Sequence, residues 1–301
     1  MKAPKFSYVL ADSVAHALEL LARHGDDARI LAGGQSLMPT LNMRLSSPKL
    51  LIDINRLDAL KGIRLDAGTV AGRSGASLDA TVRIGALTRH VEVATSDTVA
   101  KHLALIAAAM PHVAHVAVRN RGTFGGSVAL ADPAAEMPAC LLALKGRIVL
   151  ESVRGRREVA ADDYFHGLYQ TARQPDELLI EVLIPAETPG TISTFQELSR
   201  RHGDFAMAGV AARTRIKAGV IEDTRLVYFG SEVKPTLGIN AMAAARGKRW
   251  DDATRDAVLA ALGNDLDPMD NLFGKPATKL HLQKVLTRRA LDEAVAKAAA
   301  A

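Results

Sequence analysis

The stretch Ala28-Arg29-Ile30-Leu31-Ala32-Gly33-Gly34-Gln35-Ser36-Leu37 reads as a short β-strand running into a glycine turn. The next apolar run, Leu50-Leu51-Ile52-Asp53-Ile54, reads as a second strand. Upstream, Val14, Leu18, Leu21 and Ala22 recur at helical spacing between an Asp12 or Ser13 cap and Gly25. The glycine turn therefore sits at a strand end, where Gly33-Gly34 lets the main chain approach a ligand with no Cβ between them. Successive amides facing outward form an anion-binding nest, to which the Ser36 hydroxyl adds a donor. Taken alone, the same pair reads equally well as a tight turn.

A second segment, Arg121-Gly122-Thr123-Phe124-Gly125-Gly126-Ser127, repeats the chemistry, with three glycines beside the hydroxyls of Thr123 and Ser127. Two such loops suit a diphosphate better than one. Neither matches G-x-G-x-x-G, and G-x-x-x-x-G-K-[ST] occurs nowhere, which argues against a Rossmann dinucleotide unit and a P-loop nucleotidase. Just downstream, Ala131-Asp132-Pro133-Ala134-Ala135-Glu136-Met137-Pro138 sets two carboxylates four residues apart. Carboxylates accept hydrogen bonds from ribose or ribityl hydroxyls, which amides cannot do. Helix capping by Asp132 and a first-turn charge at Glu136 explain the same pair, and for Asp132 the cap is the preferred reading.

With 301 residues, 48% hydrophobic and 24% charged, the chain has the composition of a soluble globular protein with room for two domains. The net charge of +5 comes from 38 Lys and Arg scattered among 33 Asp and Glu. The densest basic group, Arg154-Gly155-Arg156-Arg157, reads as a hairpin turn, and four Tyr with one Trp give little for base stacking, so nucleic acid is not expected. A basic face for an acidic partner subunit is the more natural use of the charge. The single cysteine, Cys140, excludes an internal disulfide and an iron–sulfur cluster held by this chain, which takes about four thiolates. Residues 1–8 contain no apolar signal core, and the longest apolar stretch, Leu103 to Met110, is too short to span a bilayer. A cytoplasmic protein is expected.

Further along, a helix is predicted from the Ser96-Asp97 cap through Met110, then strands at Val82–Gly85 and Arg147–Leu150, with a helix over Ala134–Leu144 that Pro138 must begin or bend. After Pro175 longer strands appear at Leu178–Ile184, Phe205–Ile216 and Leu226–Phe229, followed by helices at Ala253–Leu262 and Lys279–Ala299. Strands followed by helices point to an α+β second domain, so the domains are drawn at 1–175 and 176–301. His112-x-x-His115 has no further ligand at metal spacing. Arg200-Arg201-His202-Gly203-Asp204 reads first as a polar link between strands, and second as a face turned to a cofactor or partner.

Taken together, these segments resemble the FAD-binding medium subunit of molybdenum hydroxylases of the aerobic carbon monoxide dehydrogenase and xanthine dehydrogenase type. The resemblance rests on Ala32–Pro39 with Arg44, on Ile84-Gly85-Ala86-Leu87-Thr88, on Arg119–Ser127 and on Asp132–Pro138. It continues through Glu177-Leu178-Leu179, Arg201-His202-Gly203-Asp204-Phe205-Ala206 and Arg288-Arg289-Ala290-Leu291, nearly the whole chain. The resemblance implies an α+β fold: a two-subdomain FAD domain of the vanillyl-alcohol oxidase (PCMH) type, then a flavoprotein C-terminal domain. It implies that Ile30, Leu31, Ala32, Gly33, Gly34, Gln35, Ser36 and Leu37, with Thr123, Phe124, Gly125, Gly126 and Ser127, hold the FAD diphosphate. Glu136 then stands at a FAD-contacting position that is Asp in xanthine dehydrogenases, and Leu179 lies near the flavin; at Gln196 the eukaryotic enzymes carry a lysine. Covalent relatives of this superfold can carry a histidine where Gln35 stands, so noncovalent FAD is implied. So are a small partner with two [2Fe–2S] clusters, a large molybdopterin subunit, a dimer of such three-subunit assemblies, and no catalytic residue or metal in this chain. The rival reading is a self-contained, noncovalent flavin oxidoreductase acting on its own small substrate.

Overall fold

The computed structural model describes residues 2–66, 70–71, 76–77 and 80–300. Strand β1 (Ser7–Leu10) leads into helix α1 (Val14–His24), which starts where the Ser13 hydroxyl accepts the His16 N–H at 3.1 Å and stops at Gly25 with φ 48°. The helix buries Ala17, Leu18, Leu20 and Leu21. Strand β2 (Ala28–Leu31) follows, then α2 (Leu37–Asn42) and β3 (Leu50–Asp53). The three strands form a parallel sheet in the order β1-β3-β2, and the Gly33-Gly34 turn leaves it at the C-terminal end of β2.

The second subdomain is an antiparallel sheet in the order β4-β7-β12-β8-β9. Its strands are β4 (Ile63–Asp66), β7 (Thr81–Gly85), β8 (Arg147–Ser152), β9 (Gly155–Ala160) and β12 (Leu178–Pro185). A small pair, β5 (Val70–Ala71) and β6 (Ala76–Ser77), lies between β4 and β7 in the chain, and β10 (Phe165–Gly167) with β11 (Gln170–Thr171) forms a separate hairpin. Between β7 and β8 run α3 (His90–Ala94), α4 (Asp97–His102), α5 (Ala104–Ala109), α6 (Val116–Arg119), α7 (Phe124–Leu130) and α8 (Glu136–Ala143). Pro138 is tolerated in α8 because it is the third helical residue, where no intrahelical bond is lost. The basic hairpin is as expected: Ser152 pairs with Gly155 across Val153-Arg154.

Two sequence expectations need correction. The division at residue 175 does not separate the sheets, because β12, placed beyond it, hydrogen-bonds between β7 and β8 and completes the first domain's core. The single helix expected from Ser96 to Met110 is two, broken at Leu103 (φ −136°, ψ 59°). Glu187 causes the break to be held: its N–H donates to the His102 carbonyl at 2.9 Å, and its carboxylate accepts the Ala104 N–H at 2.7 Å. No residue near Leu103 in sequence announces this.

The C-terminal domain carries β13 (Thr191–Leu198), β14 (Ala208–Lys217), β15 (Val220–Phe229) and β16 (Thr236–Leu237) in that order, with β17 (Lys248–Arg249) also paired to β15. Helices α9 (Ile239–Ala245), α10 (Asp252–Asp265) and α11 (Pro276–Ala300) cover one face. Alternation along β14 divides the burial: Val210 and Ala212 pack with Val258, Leu262, Leu286 and Ala290, while Ala211 turns to the core shared with α5 and α8. Phe195, Val227 and Phe229 join it there. The two domains thus share one continuous apolar core, which fixes the cleft between them.

Candidate functional site

The first glycine segment leaves β2 at Leu31 and enters α2 at Leu37. Gly34 has φ 71°, a conformation that side chains resist, and Gly33 is packed so closely that a Cβ there would overlap the Arg121 carbonyl. The two glycine segments, about ninety residues apart in the chain, therefore touch. Asn55 and Arg89 hold this junction from behind. Asn55 Nδ2 donates to the Ala32 carbonyl at 2.8 Å, and Arg89 donates to Asn55 Oδ1 at 2.7 Å and to the Arg121 carbonyl. Among the described residues, the N–H groups of Gly33 to Leu37 have no acceptor in the chain. These five successive residues line a cleft, so their free N–H groups are the donors an anion-binding nest would use.

The second segment works differently from that expectation. Apart from that of Thr123, its amides are already satisfied: Phe124 N–H donates to Thr88 O at 2.9 Å, Gly125 N–H to Ala86 O at 3.0 Å, and Gly126 N–H to Thr123 Oγ1 at 3.1 Å. Thr123 is the N-cap of α7, so the segment is a helix start rather than a second nest. What remains for a ligand is the Thr123 hydroxyl proton, the Thr123 N–H and the Ser127 hydroxyl. Gly125 is required for packing, since a Cβ would stand 2.6 Å from Ala86 Cα. Removing the cap in Thr123→Ala should lower the unfolding free energy by about 1 kcal/mol in denaturant titration; an unchanged midpoint would mean the cap bond contributes nothing.

Both segments open on a cleft of about 1200 Å³ between the two subdomains and the C-terminal domain. Ile30, Ala32, Gly33, Gly34, Gln35, Ser36, Leu37, Thr123, Gly125, Gly126, Ser127, Glu136 and Leu179 all line it. Leu31 and Phe124 do not: Leu31 packs beneath Gly34, and Phe124 is wholly buried in the core. Leu179 reaches the wall beside a bulge in β12, where pairing with β8 shifts between Leu179 and Glu181.

The electrostatics of the cleft are set by burial. Glu136, the first residue of α8, is 8% exposed, and loss of hydration pushes its carboxyl up to about 7, with a smaller upward push from the Asp132 charge. The helix cap preferred for Asp132 from the sequence is not formed: α8 begins after Ala135 with no side-chain cap, and Asp132 instead closes a local turn, Oδ1 accepting the Ala134 N–H at 2.9 Å, while Oδ2 accepts the Tyr169 hydroxyl at 3.2 Å. His90 also lines the wall, 5% exposed, with Nδ1 unpartnered; burial and then the Arg119 charge hold its pKa down to about 4, so it is neutral. The Arg200–Asp204 cluster is the link between β13 and β14 that its first reading expected, and Gly203, Asp204 and the adjoining Phe205 bring it to the cleft wall. The His112 ring meets that of Phe195 at a tilt of 53°, centroids 5.1 Å apart, and His115 lies against Gly203. His90, Asn55, Arg89, Tyr169 and Phe273 went unnoticed in the sequence, because isolated residues on separate elements carry no spacing signal. The size of the cleft, its free amides and its hydroxyl-accepting carboxylates match an elongated diphosphate ligand with polyol and apolar parts.

Comparison with known proteins gives the same picture. The family model described as "FAD binding domain in molybdopterin dehydrogenase" matches residues 4–187, and "CO dehydrogenase flavoprotein C-terminal domain" matches residues 193–294. The 6-hydroxypseudooxynicotine dehydrogenase complex subunit alpha of Paenarthrobacter nicotinovorans is 38% identical, over 99% of this chain and 97% of its own. A chain of the carbon monoxide dehydrogenase of Hydrogenophaga pseudoflava superposes with a TM-score of 0.92 at 35% identity, covering 98% of this chain and 99% of that one. A chain of quinoline 2-oxidoreductase from Pseudomonas putida 86 gives 0.90 at 34% identity, covering 99% of each chain. No described helix is long and apolar enough to cross a membrane.

Proposed function

Because the chain belongs to the FAD-binding family of molybdopterin dehydrogenases, we propose that it is the electron-transfer subunit of a molybdenum hydroxylase. In this reading a small partner passes electrons from its [2Fe–2S] clusters to FAD held here, and the electrons leave to an external acceptor. The substrate is oxidised at molybdopterin in a large partner, and the unit is a dimer of such heterotrimers in the cytoplasm. The observation that carries the reading is that the two glycine segments meet and both line one cleft, five of whose lining residues have amides with no acceptor in the chain.

Bound FAD would supply the redox chemistry, a ring that takes up electrons one or two at a time. The chain's own residues bind and orient. The amides of Gly33 to Leu37, with the hydroxyls of Ser36, Thr123 and Ser127, would hold the diphosphate. Glu136 would accept hydrogen bonds from cofactor hydroxyls, and Ile30 and Leu179 supply apolar wall. Gln35 turns its amide onto the Gly33 carbonyl at 3.0 Å and offers no nucleophile, in keeping with noncovalent binding.

Purified alone, the full chain should be yellow and release its FAD on denaturation. Mixed anaerobically with purines, N-heterocycles, aldehydes or carbon monoxide, it should keep its flavin spectrum, whereas addition of the small and large partners with their substrate should bleach it. Bleaching by an organic substrate without partners would favour the self-contained oxidoreductase instead.

A further inference from the structure

Among the described residues, Lys279 is the only lysine or arginine with no exposed surface. A buried ammonium is costly unless its protons are all well used. No carboxylate of the described residues lies within ion-pair distance of it; instead Nζ donates to the Met269 carbonyl and to Asn271 Oδ1, both at 2.9 Å. The charge is spent on a turn. That turn is pinned at its start by Met269 N–H on the Ser231 carbonyl at 2.8 Å, and Asn271 and Gly274 bond to each other across it.

Asn271 Oδ1 is the link. It accepts from the Lys279 ammonium and, at 3.0 Å, from the Phe273 N–H. On the outer side Arg200 donates to the Leu272 carbonyl at 2.7 Å, with its guanidinium 5.6 Å from the centre of the Phe273 ring. Phe273 thereby stands on the wall of the cleft, together with Phe205 from the β13–β14 turn. Two cations, one buried in α11 and one exposed, hold one aromatic side chain in place.

We infer that Lys279 is a positioning residue for the cofactor cleft: acting through Asn271, its ammonium holds Phe273 as part of the wall against which the ligand is gripped. This rests on the reading of the cleft as a FAD site. An aromatic ring fixed before binding costs no ordering when the ligand arrives, so releasing it should weaken binding about five- to tenfold.

The experiment is a double-mutant cycle on the full-length apo chain, titrated with FAD and followed by flavin fluorescence and visible circular dichroism. Lys279→Met and Phe273→Ala should each weaken FAD binding about five- to tenfold, and the double variant should bind no more weakly than Phe273→Ala alone. The flavin dichroism should change alike in all three. Additive losses, or Lys279→Met with native affinity and spectrum and only a lower apo unfolding midpoint, would reduce Lys279 to a fold-stabilising residue and overturn the inference. Should Lys279→Met not fold, Asn271→Ala opens the same clasp from the turn, and its cycle with Phe273→Ala is decided by the same additivity. A wild-type chain that binds no FAD at all would instead remove the cofactor reading, and this inference with it.

Discussion

Chains carrying Gly33→Ala or Gly125→Ala are expected to be purified without FAD, while Gly34→Ala keeps a measurable share of it. The three glycines serve different physical purposes. At Gly33 an added methyl overlaps the Arg121 carbonyl, and at Gly125 it stands 2.6 Å from the Ala86 main chain, so in both cases backbone must move. Overpacking of that kind costs about 3 kcal/mol, and separating the two segments disperses the donors that face the cleft. If the whole cost falls on binding, affinity drops by about a hundredfold. At Gly34 the methyl meets only the side chains of Leu31 at 3.2 Å and Met38 at 3.4 Å, and the penalty is that of φ 71°, about 1–2 kcal/mol. Flavin absorbance per chain and the FAD dissociation constant measure the difference. Full occupancy in Gly33→Ala would show that the contact between the segments is not what holds the site together.

The apo chain should lose stability as pH rises from about 5 to 8, and Glu197→Gln should remove much of that loss. Glu197 lies on β13 with its side chain 2% exposed, Oε2 unpartnered and His112 Nδ1 4.0 Å away. Loss of hydration, then the Glu136 charge, push its carboxyl up to about 8, and burial pushes Glu136 up to about 7, both from an ordinary 4.5. In the unfolded chain both ionise near the ordinary value, while the folded chain keeps its protons to the higher one. The stabilisation is therefore complete below the unfolded pKa and is lost as pH rises through the folded values. Above pH 8, Glu197→Gln should exceed the wild type by more than about 1 kcal/mol, because an amide never has to ionise in the core. His90 works in the opposite sense: held down to about 4, it costs stability as pH falls from its ordinary 6.5 toward that value. Urea titrations of both proteins across pH 5–9 check the slopes; parallel curves would mean that Glu197 ionises freely in the folded state.

Much of this was legible in the sequence, for local reasons. Ser13 ahead of an apolar periodicity and Gly25 behind it specify α1, because a cap and a stop act within one turn. Gly33-Gly34 after the short strand Ala28–Leu31 specifies a turn with bare amides, and Thr123 ahead of Gly125-Gly126 specifies a helix start, although the sequence suggested a second nest. The Ser152–Gly155 hairpin was likewise written in neighbouring residues.

What only the tertiary structure decided involves partners far apart in the chain. Glu187 holds the break at Leu103, β12 enters the sheet between β7 and β8 from beyond the apparent boundary, and Gly33 meets Arg121. Glu197 becomes a proton-holding acid through its burial near Glu136, and Lys279 acquires a task because α11 passes beneath the Met269–Gly274 turn. Backbone preference and capping are settled within a few residues and can be read from them. Burial, strand pairing and the pKa of a carboxylate depend on what the shared core brings alongside, and that is fixed only when the whole chain has packed.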